Sequence, residues 1–191
     1  ATGEYPPLPN RTLETTIAMP EGDGDFPLLV FSHGLGSSPR FYEVLIEEIA
    51  AAGFVVVAPL YPLTGTNAPA GADPADTPNQ PGDVSFLIDS VTAAVANSEA
   101  PFDKRTDTDR IGTFGHSNGG ITTLGIVANS CCRDPRINAA VSMSAPAAPF
   151  NGEYDFSRTV PLLFVHGTDD VLIPYEGPCV YSTALRRQKD S

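Results

Sequence analysis

A serine at position 117 stands between two glycines in Gly115-His116-Ser117-Asn118-Gly119, after the run Arg110-Ile111-Gly112-Thr113-Phe114 and before the small-residue run Ile121 to Ala128. A strand leading through such a turn into a helix is the nucleophile elbow pattern. The reason is steric: the turn crowds positions 115 and 119, where a residue without Cβ fits, and holds the serine in a strained conformation with Oγ presented. Ser117 is the candidate nucleophile for acyl transfer, a reaction that also needs a base and a place for negative charge to form. Two more loops carry suitable residues: Ser32-His33-Gly34-Leu35-Gly36, and His166-Gly167-Thr168-Asp169-Asp170 with Pro174 beyond it.

The elements around these loops read as alternating strands and helices. Residues 12–18 alternate apolar and polar, as an edge strand with one wet face does. Pro27 to Phe31 and Phe54 to Ala58 are continuous apolar runs of the kind buried on both faces of a parallel sheet. Between them Ser38-Pro39 starts a helix, Tyr42, Leu45, Ile46 and Ile49 share one face, and Gly53 stops it. Strand, helix, strand in that order is a right-handed parallel crossover. Residues 60–82 change to Pro, Gly, Ala, Asn and Asp, and read as a long loop over the edge that carries Ser117, placed to touch a ligand. Val84, Leu87, Ile88, Val91 and Val95 give an amphipathic helix. Pro101 to Asp109 reads as a polar connection, and Ile137 to Met143 and Val160 to Val165 as two further strands. The three chemically equipped loops then all leave the carboxyl ends of parallel strands, and residues 1–191 read as one domain.

On these residues the sequence resembles the α/β-hydrolase superfamily. The match rests on Phe31-Ser32-His33-Gly34-Leu35-Gly36, Gly115-His116-Ser117-Asn118-Gly119-Gly120 and His166-Gly167-Thr168-Asp169-Asp170 with Pro174, and spans roughly residues 12–175. It is most similar to dienelactone-hydrolase-like and platelet-activating-factor-acetylhydrolase-like esterases, with likeness also to chlorophyllase-type and polyester-degrading enzymes. Gln80-Pro81-Gly82-Asp83-Val84-Ser85-Phe86-Leu87 looks like a helix start from the first of these groups. The resemblance implies a mostly parallel sheet with helices on both faces. It also implies a Ser117 acyl-enzyme, an oxyanion hole made by the backbone N–H groups of Leu35 and Asn118, and an acid at Asp170. Asp169 is adjacent, but the glycine three residues before and the proline four after match the family's acid at 170. The family's histidine follows its acid, whereas His33, His116 and His166 all precede Asp170. The sequence therefore reads as a serine carboxylesterase whose last strand, helix and histidine are missing from these residues. The alternative is a non-catalytic, hydrolase-like binding module.

Partners are bounded by composition. A net charge of −12, from 23 acidic against 11 basic residues, argues against nucleic acid and anionic membranes. The longest apolar runs fall well short of a membrane span. The expected partner is a small-molecule or polymeric ester, with self-association expected through an exposed sheet edge. No cofactor or metal is expected; Glu21-Gly22-Asp23-Gly24-Asp25 lacks the spacing and terminal glutamate of a calcium loop. Cys131 and Cys132 are neighbours, which rarely pair; Cys179 could bridge to one of them, which would favour a secreted protein over a cytoplasmic one.

Overall fold

The computed structural model describes residues 10–102, 105–145 and 150–174. Strands β1 (Glu14–Ala18), β2 (Phe26–Ser32), β3 (Val55–Leu60), β4 (Thr106–His116), β5 (Ile137–Met143) and β6 (Leu162–Val165) form one sheet in the order β1-β3-β2-β4-β5-β6. β1 runs antiparallel to β3, with Ile17 opposite Val57, and every other pair is parallel. Helix α1 (Glu43–Ala51) lies on one face, and α2 (Gln80–Ala96) and α3 (Asn118–Ala128) on the other.

The period of two along each strand divides the core between those faces. Leu28 and Val30 of β2 join Val55, Val57, Ile111 and Ile137 under Val84, Leu87, Ile88 and Val91 of α2 and Ile126 of α3. Phe31 joins Val56, Ala58 and Phe114 under Ile46 and Ala50 of α1. α1 covers only part of its face. Beside it, Leu29, Phe114, Val141 and Met143 line an open apolar groove of about 280 Å³, and Leu163 and Val165 of β6 are 57% and 48% exposed.

Several expected boundaries move. Ser38 precedes a short 3-10 turn, Pro39–Tyr42, and its side chain makes no cap hydrogen bond; the α-helix proper begins at Glu43. The segment from 60 to 82 is not loop throughout: β3 reaches Leu60, Pro74–Asn79 is a 3-10 turn, and α2 starts at Gln80. The α2 start agrees with the helix start that the resemblance put at Gln80-Pro81, and Pro81 falls in the first turn, where a missing N–H costs little. β4 begins at Thr106, inside the expected polar connection. Cys131 and Cys132 are joined to each other, against the expectation from their adjacency. The turn after α3 draws the cysteine backbone back on itself, with Cys132 N–H donating to Asn129 O at 3.3 Å and Cys131 N–H to Asn129 Oδ1 at 3.0 Å. Cys179 lies outside the described residues.

One ion cluster fastens the chain before β1 to the start of α2. Arg11 donates to both oxygens of Asp76 at 2.6 and 2.8 Å, and to Asp83 Oδ2 at 2.7 Å. Burial pushes the Asp83 carboxyl up to about 6 despite the pull of Arg11. Because that folded value lies above the unfolded one of about 3.9, its stabilising effect is full below about pH 4 and is lost as pH rises through 6. Replacing Arg11 by Met leaves two buried carboxylates without their cation. The expected cost is about 3 kcal/mol at pH 7, and it shrinks at pH 5, where Asp83 takes a proton. Urea unfolding at the two pH values measures this, and an equal loss at both would refute the role assigned to Asp83.

Candidate active site

The tight turn between β4 and α3 has a direct geometric signature. Ser117 lies at φ 54°, ψ −119°, a region that costs a non-glycine residue of order 1–3 kcal/mol and persists only where the surroundings enforce it. Its N–H donates to Met143 O at 2.8 Å, which fastens the turn to the end of β5. A Cβ on Gly115 would stand 2.2 Å from Gly119 O, and one on Gly119 would stand 1.9 Å from Ser32 O. Backbone thus meets backbone on both sides of the serine, which is half-buried at the N-terminus of α3.

The loop after β2 runs against this turn. A Cβ on Gly34 would be 3.5 Å from Ser117 Cβ and 3.1 Å from Tyr42 Oη. Gly34 N–H points to that hydroxyl at 3.3 Å, and the same hydroxyl lies 2.9 Å from His116 Nδ1. Leu35 follows, 44% exposed, and Gly36 N–H donates to Thr64 O at 2.8 Å. Asn118, the residue after the serine, is buried. The structure therefore brings the Gly34-Leu35 loop, Ser117 and Asn118 into one neighbourhood.

Asp170, the acid expected from the resemblance, lies in the loop after β6. Its Oδ1 accepts N–H bonds from Leu172 at 3.0 Å and Ile173 at 2.9 Å. The Ile173 amide first, then the Leu172 amide, holds the carboxyl below its usual range, and the charges of His166 and His116 act in the same direction. Asp170 follows the carboxyl end of β6, and β4, β5 and β6 run parallel, so it lies at the same end of the sheet as Ser117 after β4. Its Oδ2 is 3.6 Å from His166 Nε2. Asp169 beside it is exposed.

The three histidines are all engaged. Tyr61 N–H donates to His33 Nε2 at 3.1 Å, so the proton sits on Nδ1, which bonds Gly34 O at 2.8 Å. Burial lowers the His33 imidazole pKa, keeping it neutral. Burial also lowers that of His116, whose Nδ1 meets Tyr42. His166 Nε2 meets the Ile173 carbonyl at 2.7 Å and so carries its proton there. Among the described residues, no group of three or more His, Cys, Asp and Glu could hold a metal ion, and no helix is long and apolar enough to cross a membrane.

A family model described as Chlorophyllase matches residues 3–169. The chain belongs to the chlorophyllase family. Its relatives include Chlorophyllase-2 of Arabidopsis thaliana, 24% identical over 119 residues, which are 62% of this chain and 34% of that protein. Chlorophyllase-1, chloroplastic, of Citrus sinensis is 28% identical over 122 residues, 63% of this chain and 33% of that protein. The chain thus spans about a third of the length of the curated relatives it matches.

Solved structures carry the same α/β-hydrolase fold. A dienelactone hydrolase of Klebsiella pneumoniae subsp. pneumoniae aligns with TM-score 0.65 and 19% identity over 92% of this chain and 75% of that one. Thermogutta terrifontis esterase 2 aligns at 0.63 and 16%, over 95% and 80%. Ferulic acid esterase from Streptomyces cinnamoneus aligns at 0.62 and 24%, over 85% and 48%.

A buried polar network beside the elbow went unread in the sequence. Thr77 Oγ1 donates to Asn118 Oδ1 at 2.8 Å, Asn118 Nδ2 to Gln80 Oε1 at 3.3 Å, and Gln80 Nε2 to Thr64 Oγ1 at 2.7 Å. Thr122 Oγ1 also reaches Gln80 Oε1. One signal was available: Gln80 stands four residues before Val84 and eight before Ile88, a polar residue on the buried stripe of α2.

Proposed function

We propose that this protein is a serine carboxylesterase that hydrolyses carboxylic esters through an acyl-enzyme on Ser117. The observation that supports this reading best is a bare Gly34 beside a serine held at φ 54°: a Cβ at position 34 would stand 3.5 Å from Ser117 Cβ. That arrangement leaves room for an ester carbonyl between the nucleophile and backbone donors.

In the proposed sequence Ser117 Oγ attacks the carbonyl carbon while an imidazole takes its proton. The N–H groups of Leu35 and Asn118 donate hydrogen bonds to the oxyanion that forms from the carbonyl oxygen. The tetrahedral species then expels the alcohol, which receives the proton from the imidazolium. Water, deprotonated by the same imidazole, attacks the acyl-enzyme and releases the acid and Ser117. Asp170 uses one oxygen to hold its own loop and keeps the other for orienting the imidazole. Both ring nitrogens of His33, Nδ1 of His116 and Nε2 of His166 already have partners, and the proposal takes the imidazole from a histidine that follows Asp170, in the order the resemblance implies. Likeness to the superfamily's esterases points to esters with short or aromatic acyl groups.

Thermogutta terrifontis esterase 2 has been solved phosphorylated by paraoxon, and the corresponding test here is an organophosphorus probe. In a gene product that continues through a histidine downstream of Asp170, a fluorophosphonate is expected to label one residue, placed at Ser117 by peptide mapping. Residues 1–191 alone are expected to react far more slowly. Absence of labelling in the longer product would sink the esterase reading. Ordinary turnover of p-nitrophenyl butyrate by residues 1–191 would sink the external base.

A further inference from the structure

We propose that Gln80 is a positioning residue that fixes the separation of the two oxyanion donors, Leu35 and Asn118; the inference rests on the esterase reading above. The two donors sit on different elements, one in the loop after β2 and the other at the start of α3. The β2–β4 pairing holds the two segments together as far as Ser32 and Gly115, and the loop and helix that carry the donors lie beyond it. Gln80 joins them through side chains. Its Nε2 donates to Thr64 Oγ1 at 2.7 Å, and the carbonyl of that threonine accepts Gly36 N–H, one residue beyond Leu35, at 2.8 Å. Its Oε1 accepts from Asn118 Nδ2 at 3.3 Å and from Thr122 Oγ1 one turn further along α3. Thr77 closes the circuit by donating to Asn118 Oδ1 at 2.8 Å.

The circuit is sealed from water: Gln80, Thr64 and Thr122 are each 0% exposed, and Thr77 and Asn118 are buried. Both ends of the Gln80 amide are used: Thr77 donates to Asn118 Oδ1, Asn118 Nδ2 to Gln80 Oε1, and Gln80 Nε2 to Thr64 Oγ1. A fully satisfied buried network of this kind rigidifies what it connects. Here it connects the segment from 61 to 79 to both halves of the oxyanion hole. That segment is further fastened to the Leu35 loop by Thr66 N–H donating to Ser37 O at 2.9 Å. Its contribution to the reaction is thereby structural rather than by touching substrate.

Because oxyanion donors act only when charge has developed, an error in their spacing falls on kcat and not on substrate affinity. Displacing such a group by about 1 Å costs about 10²-fold. In the gene product that continues through a histidine downstream of Asp170, Gln80→Met, which keeps the volume and removes the side-chain hydrogen bonds, is expected to lower kcat for p-nitrophenyl butyrate about 10²-fold with KM changed less than about threefold. The Ki of a trifluoromethyl ketone, which forms a tetrahedral adduct, should rise in parallel with the fall in kcat. Thr64→Val cuts the circuit at its far end without touching α3 and should give the same kcat-selective loss. Gln80→Glu keeps the acceptors for Asn118 and Thr122 and should recover part of the rate.

Thermal unfolding of each variant separates positioning from folding, and Thr64→Val serves if Gln80→Met does not fold. Folded variants with wild-type kcat, or losses carried by KM, would overturn the role of Gln80. Failure of wild-type Ser117 to label with fluorophosphonate would instead overturn the esterase reading on which it rests.

Discussion

Replacing Ser117 by Ala is expected to reduce turnover of p-nitrophenyl butyrate by about 10⁶-fold while leaving the fold in place. The measurement belongs on the gene product that supplies the imidazole. Removing the nucleophile leaves only what the backbone donors and substrate binding can do, about 10³-fold over water. The backbone explains why the fold should survive. Alanine at 117 inherits the same φ of 54° and adds no atom, so Gly115, Gly119 and the Met143 carbonyl keep their contacts. Glycine at 117 should differ in one respect. It adopts this conformation without strain, so Ser117→Gly should be equally inactive and more stable than Ser117→Ala by about 1 kcal/mol in urea unfolding. A stability order with alanine above glycine would mean that the elbow is not strained, and residual turnover above a thousandth of wild type would remove Ser117 from the mechanism.

The elbow was legible because its constraint is local. Two glycines either side of a serine, after an apolar run, encode the clash distances at Gly115 and Gly119 almost directly. The parallel strands were legible for a similar reason: Leu28, Val30 and Phe31 are buried on opposite faces, so β2 reads as unbroken apolar sequence. What stayed hidden was set by tertiary contacts. Tyr42 reads in the sequence as one more residue on an apolar helix face with Leu45, Ile46 and Ile49, yet its hydroxyl bridges Gly34 and His116, 74 residues from the latter. Thr64, Thr77 and Gln80 sit in a stretch whose prolines suggested an irregular loop, while their side chains satisfy one another in the interior. No periodicity announces a hydrogen bond between residues so far apart in the chain. The cysteine pairing escaped for another reason, since the turn at Asn129 overrides what adjacency alone suggests.

Gly119 and Gly34, both close to Ser117, should fail in opposite ways when each gains a methyl group. At Gly119 the methyl carbon would lie 1.9 Å from Ser32 O, 2.3 Å from Ser32 C and 2.8 Å from His33 O. All three are backbone atoms at the end of β2, so no rotamer change relieves the contact. Restoring an ordinary separation of 3.4 Å requires the strand end and the helix start to part by 1.5 Å (3.4 − 1.9). That movement opens the packing around Phe31 and Val30, both fully buried. Gly119→Ala is therefore expected to cost more than about 4 kcal/mol, a large share of the 5–15 kcal/mol that holds a domain together, and to yield little folded protein. At Gly34 the nearest neighbour is the Tyr42 hydroxyl at 3.1 Å, the far end of a side chain. Gly34→Ala should fold with a loss of about 1 kcal/mol, yet its methyl group would occupy the space 3.5 Å from Ser117 Cβ where the proposed carbonyl enters. Fluorophosphonate labelling of Gly34→Ala should fall about 10²-fold with unfolding little changed. Soluble Gly119→Ala of wild-type stability would contradict the backbone contact between β2 and α3; full-rate labelling of Gly34→Ala would place the ester on another side of the serine. The two glycines thus separate what the close approach does for the fold from what it does for the reaction.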